Sequence, residues 1–364
     1  MSAAALPAPI ARIAVFRALM LGDLLCAVPA LRAIRAAHPA AQIWLIGLPW
    51  AHTFVERCPW LDGMIAFPGY PGLPETPFEA EAFARFLDDV RAHRFDLAIQ
   101  LHGSGRITNP LLSRFGARHT AGFFDDEAWV PPQDAQRFVR WPEAGHEVER
   151  LLSLTDALGM PRQGRALEFP VKEEDRAALR ALCPTLSAQP YVCIHAGSQL
   201  PSRRWLPERF AEVADALAAQ GYAVVLSGSA SEAPIAAAVR AHMWHPAISL
   251  IGLTSLWTLG ALIEGAQSLI CNDTGVSHIA AALGTPSVVI SCGAEVARWA
   301  PPDPVLHTVL WADRPCRPCA VRICPEADGC AQAITAPEVL RASANRFRLV
   351  PVAPPEKAHD LPCA

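Results

Sequence analysis

The sequence predicts an α/β protein built as two parallel sheets, each wrapped by helices. Three observations carry that expectation. The chain has 364 residues, and single cores rarely grow past about 250–300 residues, so two domains are expected. Short apolar runs that read as strands alternate with segments of helical period in both halves. The strand runs lack a polar face, as parallel strands covered on both sides require.

Arg12–Phe16 reads as the first buried strand. The loop Arg17–Gly22 follows, then a helix over Asp23–Ala37 with apolar residues at 24, 25, 28, 31 and 34. Pro29 falls in its early turns, where it is tolerated. Gln42–Gly47 is the second strand, His52–Cys58 is helical, and Gly63–Phe67 is a third strand. Pro68–Pro77 is a Pro/Gly-rich loop. A helix over Phe78–His93, a strand at Asp96–Leu101, a helix at Ile107–Phe115 and a short strand at Thr120–Phe124 come next. Pro131–Pro142 reads as irregular, and His146–Leu158 as a helix stopped by Gly159. The first domain is expected over 12–170, with Arg162–Pro170 linker-like and the boundary near 165–185. A second domain over 185–342 repeats the pattern. Its strands at Tyr191–His195, Ala223–Ser227, Ala247–Ile251, Ser268–Cys271 and Ser287–Ser291 alternate with helices at Pro207–Gln220, Glu232–His242, Ser255–Glu264 and Val276–Leu283. Residues 343–364 read as a loose tail.

Apolar residues make up 52% of the chain and charged ones 18%, so a large core is expected and disorder is not. The net charge of -4 disfavours a nucleic-acid binder, while local basic clusters still suit anionic substrates. The apolar stretch Ser268–Ile290 is broken by Asn272, Asp273, His278 and Pro286, so no segment reads as membrane-spanning. Met1–Ala11 has neither a basic n-region nor an apolar h-region, and the cytoplasm is the expected compartment. There are 11 cysteines, an odd count that argues against a disulfide framework. Cys316, Cys319, Cys324 and Cys330 cluster as C-x2-C-x4-C-x5-C. That spacing can close a tetrahedral thiolate site for zinc or iron, or simply mark a reduced structural loop.

Open parallel sheets bind ligands beyond the C-terminal ends of their strands, and four loops there are chemically loaded. In Arg17-Ala-Leu-Met-Leu-Gly-Asp23, Gly22 permits an unusual backbone turn. Asp23 is either the N-cap of the next helix or a carboxylate held as a general base. In His195-Ala-Gly-Ser-Gln-Leu-Pro-Ser-Arg-Arg-Trp, Arg203 and Arg204 either clamp a diphosphate or form a solvated basic turn. In Asn272-Asp-Thr-Gly-Val-Ser-His278, the backbone around Thr274–Ser277 and the helix start offer an anion site to which Ser277 and His278 can add donors. Ser227-Gly-Ser-Ala-Ser-Glu232 can hold ribose hydroxyls or cap a helix. The G-x-G-x-x-G and Walker spacings are absent, which disfavours a dinucleotide-dependent dehydrogenase.

At these residues the chain resembles glycosyltransferase family nine, the ADP-heptose:lipopolysaccharide heptosyltransferases. The resemblance rests on RIAVFRALMLGDLLCAVPALRAIRAAHP, DLAIQLHGSGR, HAGSQLPSRRWLPERF, GLTSL and NDTGVSHIAAALGTPSV, and covers roughly residues 12–342. It implies a GT-B fold, two Rossmann-like domains with parallel sheets facing across a cleft. The acceptor would bind to the first domain and the nucleotide sugar to the second.

Asp23 falls on the family's base. Arg203 stands where the family has a phosphate-binding lysine, a departure that keeps the charge but widens the fork. Ser198, Asp273, Thr274, Gly275, Ser277 and His278 fall on donor-binding positions. Thr254 lies in the segment expected against adenine, and Glu232 matches the ribose-contacting acid loosely. Arg17 and Arg106 are the expected acceptor-side cations. The implied reaction is a single, inverting displacement that requires no cofactor. Its partners would be a nucleotide-diphosphate sugar and an anionic glycan or lipid-linked acceptor, with peripheral contact at the inner membrane. The competing readings are a catalytically degenerate binding or assembly protein, and a transferase using a different nucleotide sugar.

Overall fold

A computed structural model describes residues 10–326 and 329–344. The expected tail lies outside the described residues from 345 onward. The chain divides into two units, Met1–Pro170 and Val171–Ala364.

The first unit holds β1 (Arg12–Phe16), β2 (Gln42–Gly47), β3 (Gly63–Ala66), β4 (Leu97–Gln100), β5 (His119–Phe124) and β6 (Phe138–Arg140). They form one sheet in the order β3-β2-β1-β4-β5-β6, paired parallel throughout. The chain winds outward from β1 to β3, then returns to the other side of β1 at β4. That reversal opens a crevice beyond the C-terminal ends of β1 and β4. Phe16, Phe67, Phe86 and Phe115 fill the core beneath it in edge-to-face pairs.

The second unit repeats the plan with β7 (Tyr191–His195), β8 (Ala223–Leu226), β9 (Ile248–Ser249), β10 (Ser268–Asn272), β11 (Ser287–Ser291) and β12 (His307–Trp311). The order is β12-β11-β10-β7-β8-β9, again parallel. Its reversal falls between β7 and β10. Strands β7, β10 and β11 are buried at every position, which is why each reads as an uninterrupted apolar run.

The structure corrects several local expectations. Pro131–Pro142 is not irregular throughout: it contains a 3-10 turn, Pro132–Arg137, and β6. Buried Asp134 ties this segment to β5, accepting from the Thr120 N–H at 2.8 Å and the Thr120 hydroxyl at 3.0 Å. The boundary stretch carries an unpredicted helix, Glu173–Leu182, with Glu173, Glu174 and Asp175 in its first turn, where they suit the helix dipole. Strand β12 and the helix Ala336–Ala344 are further additions. The first helix runs Leu21–Ala37, with Met20 as N-cap, so Gly22 is helical and makes no left-handed turn. Among the described residues no helix is long and apolar enough to cross a membrane.

Candidate active site

Asp23 is not a cap. It lies in the first turn of Leu21–Ala37 with its side chain 25% exposed, where the helix N-terminus favours a negative charge. Arg17, only 2% exposed, fixes this turn. Its Nε donates to the Asp23 carbonyl at 2.7 Å, a second N–H donates to the Leu101 carbonyl, and Nη2 donates to buried Glu147 at 3.1 Å. The same Nη2 is 3.9 Å from Asp23 Oδ1. The Arg17 charge therefore points inward and holds the turn that carries Asp23 through its backbone.

Beyond β4, His102 stacks on Phe16 with ring centroids 5.0 Å apart, and its Nδ1 accepts the Ala18 N–H at 3.3 Å. Burial, and then the Arg17 charge, lowers its pKa to about 3, so His102 is a neutral ring. Arg106 leaves the same loop exposed and donates to Asp125 and Glu127, each at 2.6 Å. Gly105 is required there: its φ is 94°, and a Cβ would meet the Phe123 carbonyl at 2.3 Å.

In the second unit, Asn272 at the end of β10 joins the two loops of the switch point. It accepts the Trp205 N–H at 2.9 Å and donates to the Ala196 carbonyl at 2.8 Å. Trp205 is fully buried against Phe210 and anchors the arginine loop. Asn272→Ala is expected to destabilise this unit by about 1–3 kcal/mol for each orphaned backbone group, read as a lower urea midpoint.

Arg203 Nη2 donates to the Cys319 carbonyl at 3.1 Å, while its Nε is buried without a partner among the described residues. Arg204 instead braces its own loop through the Ser198 carbonyl at 2.9 Å. Burial raises the pKa of Asp273; a hydrogen bond from Ser291 and the charges of Arg203 and Arg317 oppose the shift. Thr274 is the N-cap of the helix Gly275–Leu283, whose first-turn N–H groups face the loop end. Ser277 and His278 are buried, and the Ser277 hydroxyl donates to the Thr274 carbonyl at 2.8 Å rather than outward.

Glu232 packs against the backbone of Gly197, where a Cβ would lie 1.7 Å from its Oε1. Burial works against its charge. His195, 3.7 Å away, and the Ser229 N–H and hydroxyl, each at 2.8 Å, outweigh that and hold the carboxyl at about 2. The segment carrying Thr254 lies against this turn through the Gly252 N–H and the Gly228 carbonyl, 2.8 Å apart. The arrangement thus gathers Ser198, Arg203, Glu232 and Asp273 around one switch point.

The four clustered cysteines differ in burial. Cys316 is exposed, Cys319 and Cys324 are half-buried, and Cys330 is buried in the core. Among the described residues no group of three or more His, Cys, Asp or Glu side chains could hold a metal ion. The segment instead shapes the site through Arg317, whose partners lie outside its own stretch of sequence and so leave no local signal. Arg317 donates to the Ser291 carbonyl at 2.8 Å, the Ser291 hydroxyl at 3.1 Å and the Ala294 carbonyl at 2.6 Å. Ser291 in turn donates to Asp273 Oδ2 at 3.0 Å. Glu75, Glu147 and His102 were also missed in the first unit.

Each doubly wound unit thus carries a charged strand-end site, an acidic one at Asp23 and a cationic one at Arg203. The chain matches the family model described as Glycosyltransferase family 9 (heptosyltransferase) over residues 83–328, and it belongs to that family. It is 31% identical to a lipooligosaccharide heptosyltransferase 2 of Haemophilus influenzae, across 74% of this chain and 80% of the relative. Its fold is that of a glycosyl transferase family 9 structure from Veillonella parvula, with TM-score 0.77, 21% identity, and coverage of 94% and 98% of the two chains. The E. coli ADP-heptose lps heptosyltransferase II structure matches with TM-score 0.71 and 22% identity, over 92% and 97%. The fold is therefore GT-B, and the protein is a glycosyltransferase.

Proposed function

We propose that this chain moves a heptose from an ADP-sugar to a lipopolysaccharide core or other glycan acceptor, with inversion, using Asp23 as general base. The carrying observation is the Asp23 carboxylate, partly exposed at a strand-end crevice in a helix turn whose backbone buried Arg17 holds. In the forward step the acceptor hydroxyl oxygen attacks the anomeric carbon, its proton passes to Asp23, and the bond to the diphosphate oxygen breaks. Such general-base help is typically worth about 10²–10⁴-fold.

Arg203 and the first-turn N–H groups of Gly275–Leu283 would hold the departing ADP, Glu232 the ribose, and the Thr254 segment the adenine. These groups supply positive charge where the leaving group gains negative charge. The named relatives are heptosyltransferases, and one solved relative is the E. coli ADP-heptose lps heptosyltransferase II, which supports this donor. A lipid-linked acceptor would bring the protein to the inner membrane surface. Incubation with ADP-heptose and truncated core acceptors tests the reading: ADP release coupled to an inverted glycosidic product is expected. ADP-heptose left intact beside a panel of cores, with turnover of another nucleotide sugar, would replace it.

A further inference from the structure

The Pro68–Pro77 loop after β3 is firmly built. Gly69, at φ 100°, sits so close to the Thr76 and Pro77 carbonyls that a Cβ would lie 2.7 and 2.8 Å from them. Gly72, at φ 88°, presses on Ile107 of the loop after β4. Tyr70 and Leu73 pack on the core beneath. This geometry carries Glu75 inward, to 16% side-chain exposure, with Oε1 3.9 Å from His102 Nε2. Its Oε2 is buried and has no hydrogen-bond partner among the described residues. A buried carboxylate oxygen left unpaired is costly unless a ligand donor meets it.

His102 accepts through Nδ1 from Ala18, so its ring proton sits on Nε2 and faces Glu75. Burial and the Asp23 charge raise the Glu75 carboxyl above its ordinary range, against the opposing pull of its own backbone N–H. Glu75 and Asp23 therefore feel each other across the same crevice. Both arginines expected on this side are engaged elsewhere, Arg17 with Glu147 and two carbonyls, Arg106 with Asp125 and Glu127.

We propose that Glu75, backed by His102, is an acceptor-binding residue that takes a hydroxyl of the attacking sugar beside Asp23 and selects a neutral, polyhydroxylated ring over one bearing a carboxylate or phosphate there. The proposal rests on Asp23 being the base. Two carboxylates offer acceptors to hydroxyl groups and repel an anion. An acidic group elsewhere on the acceptor is unaffected.

The test uses the full chain, ADP-heptose, and two truncated core oligosaccharides, one ending in a neutral heptose and one in an acidic octulosonic residue. The wild type is expected to prefer the neutral terminus. Glu75→Gln is expected to lose about 10- to 100-fold in kcat/KM for that acceptor, mainly through KM, with the ADP-heptose KM unchanged. Glu75→Lys is expected to shift preference toward the acidic terminus. Preference of the wild type for the acidic terminus, or an unchanged acceptor KM in Glu75→Gln, overturns the assignment. Transfer to neither acceptor overturns the heptosyl activity itself, and the Glu75 role with it.

Discussion

Asp23→Asn is expected to fold normally and bind ADP like the wild type, yet lose about 10²–10⁴ in kcat. The amide keeps the shape of the carboxylate, and the Arg17 bond to this residue is made to the backbone carbonyl, so the local scaffold survives. What disappears is a proton acceptor at the acceptor hydroxyl. Rate measurements with a defined acceptor, ADP titration and a thermal melt separate the two consequences. Wild-type kcat in this variant would remove Asp23 from the reaction.

Arg203→Ala is expected to lower kcat/KM by about 2–4 kcal/mol, with part of the loss in kcat and part in ADP affinity. The diphosphate gains charge as the sugar departs, so the contact tightens in the transition state. Arg203 keeps a buried Nε without a partner among the described residues, while its Nη2 is held by the Cys319 carbonyl. That hold aims the guanidinium rather than consuming it. Arg203→Lys should recover part of the loss, since the charge returns but the planar fork does not. Arg204 braces its own loop through the Ser198 carbonyl, so Arg204→Ala should act mainly on stability. The reverse pattern, with ADP affinity intact in Arg203→Ala and lost in Arg204→Ala, would move the clamp to Arg204.

The sequence by itself determined the architecture, because its strands are buried on both faces and say so locally. Arg12–Phe16, Gln42–Gly47, Tyr191–His195 and Ser287–Ser291 have the same bounds in the structure as in the apolar pattern. The loaded loops were legible for a related reason: a charged or Gly-rich stretch straight after such a strand must emerge at the ligand-binding edge of a parallel sheet. Elements whose signal is weak on one face were not legible. β6 has three residues at a sheet edge, β12 is half-buried, and Glu173–Leu182 buries only Asp175 and Leu179. The partners of the site residues were decided by the tertiary structure alone. Glu147 reaches Arg17 from the start of the helix Glu147–Ala157, the Gly69 and Gly72 turns carry Glu75 to His102, and Arg317 reaches Ser291 from a segment that reads as a thiolate cluster. Burial patterns are written into neighbouring residues, whereas these pairings depend on which strand ends the winding order places side by side, a property that no local stretch of the chain contains.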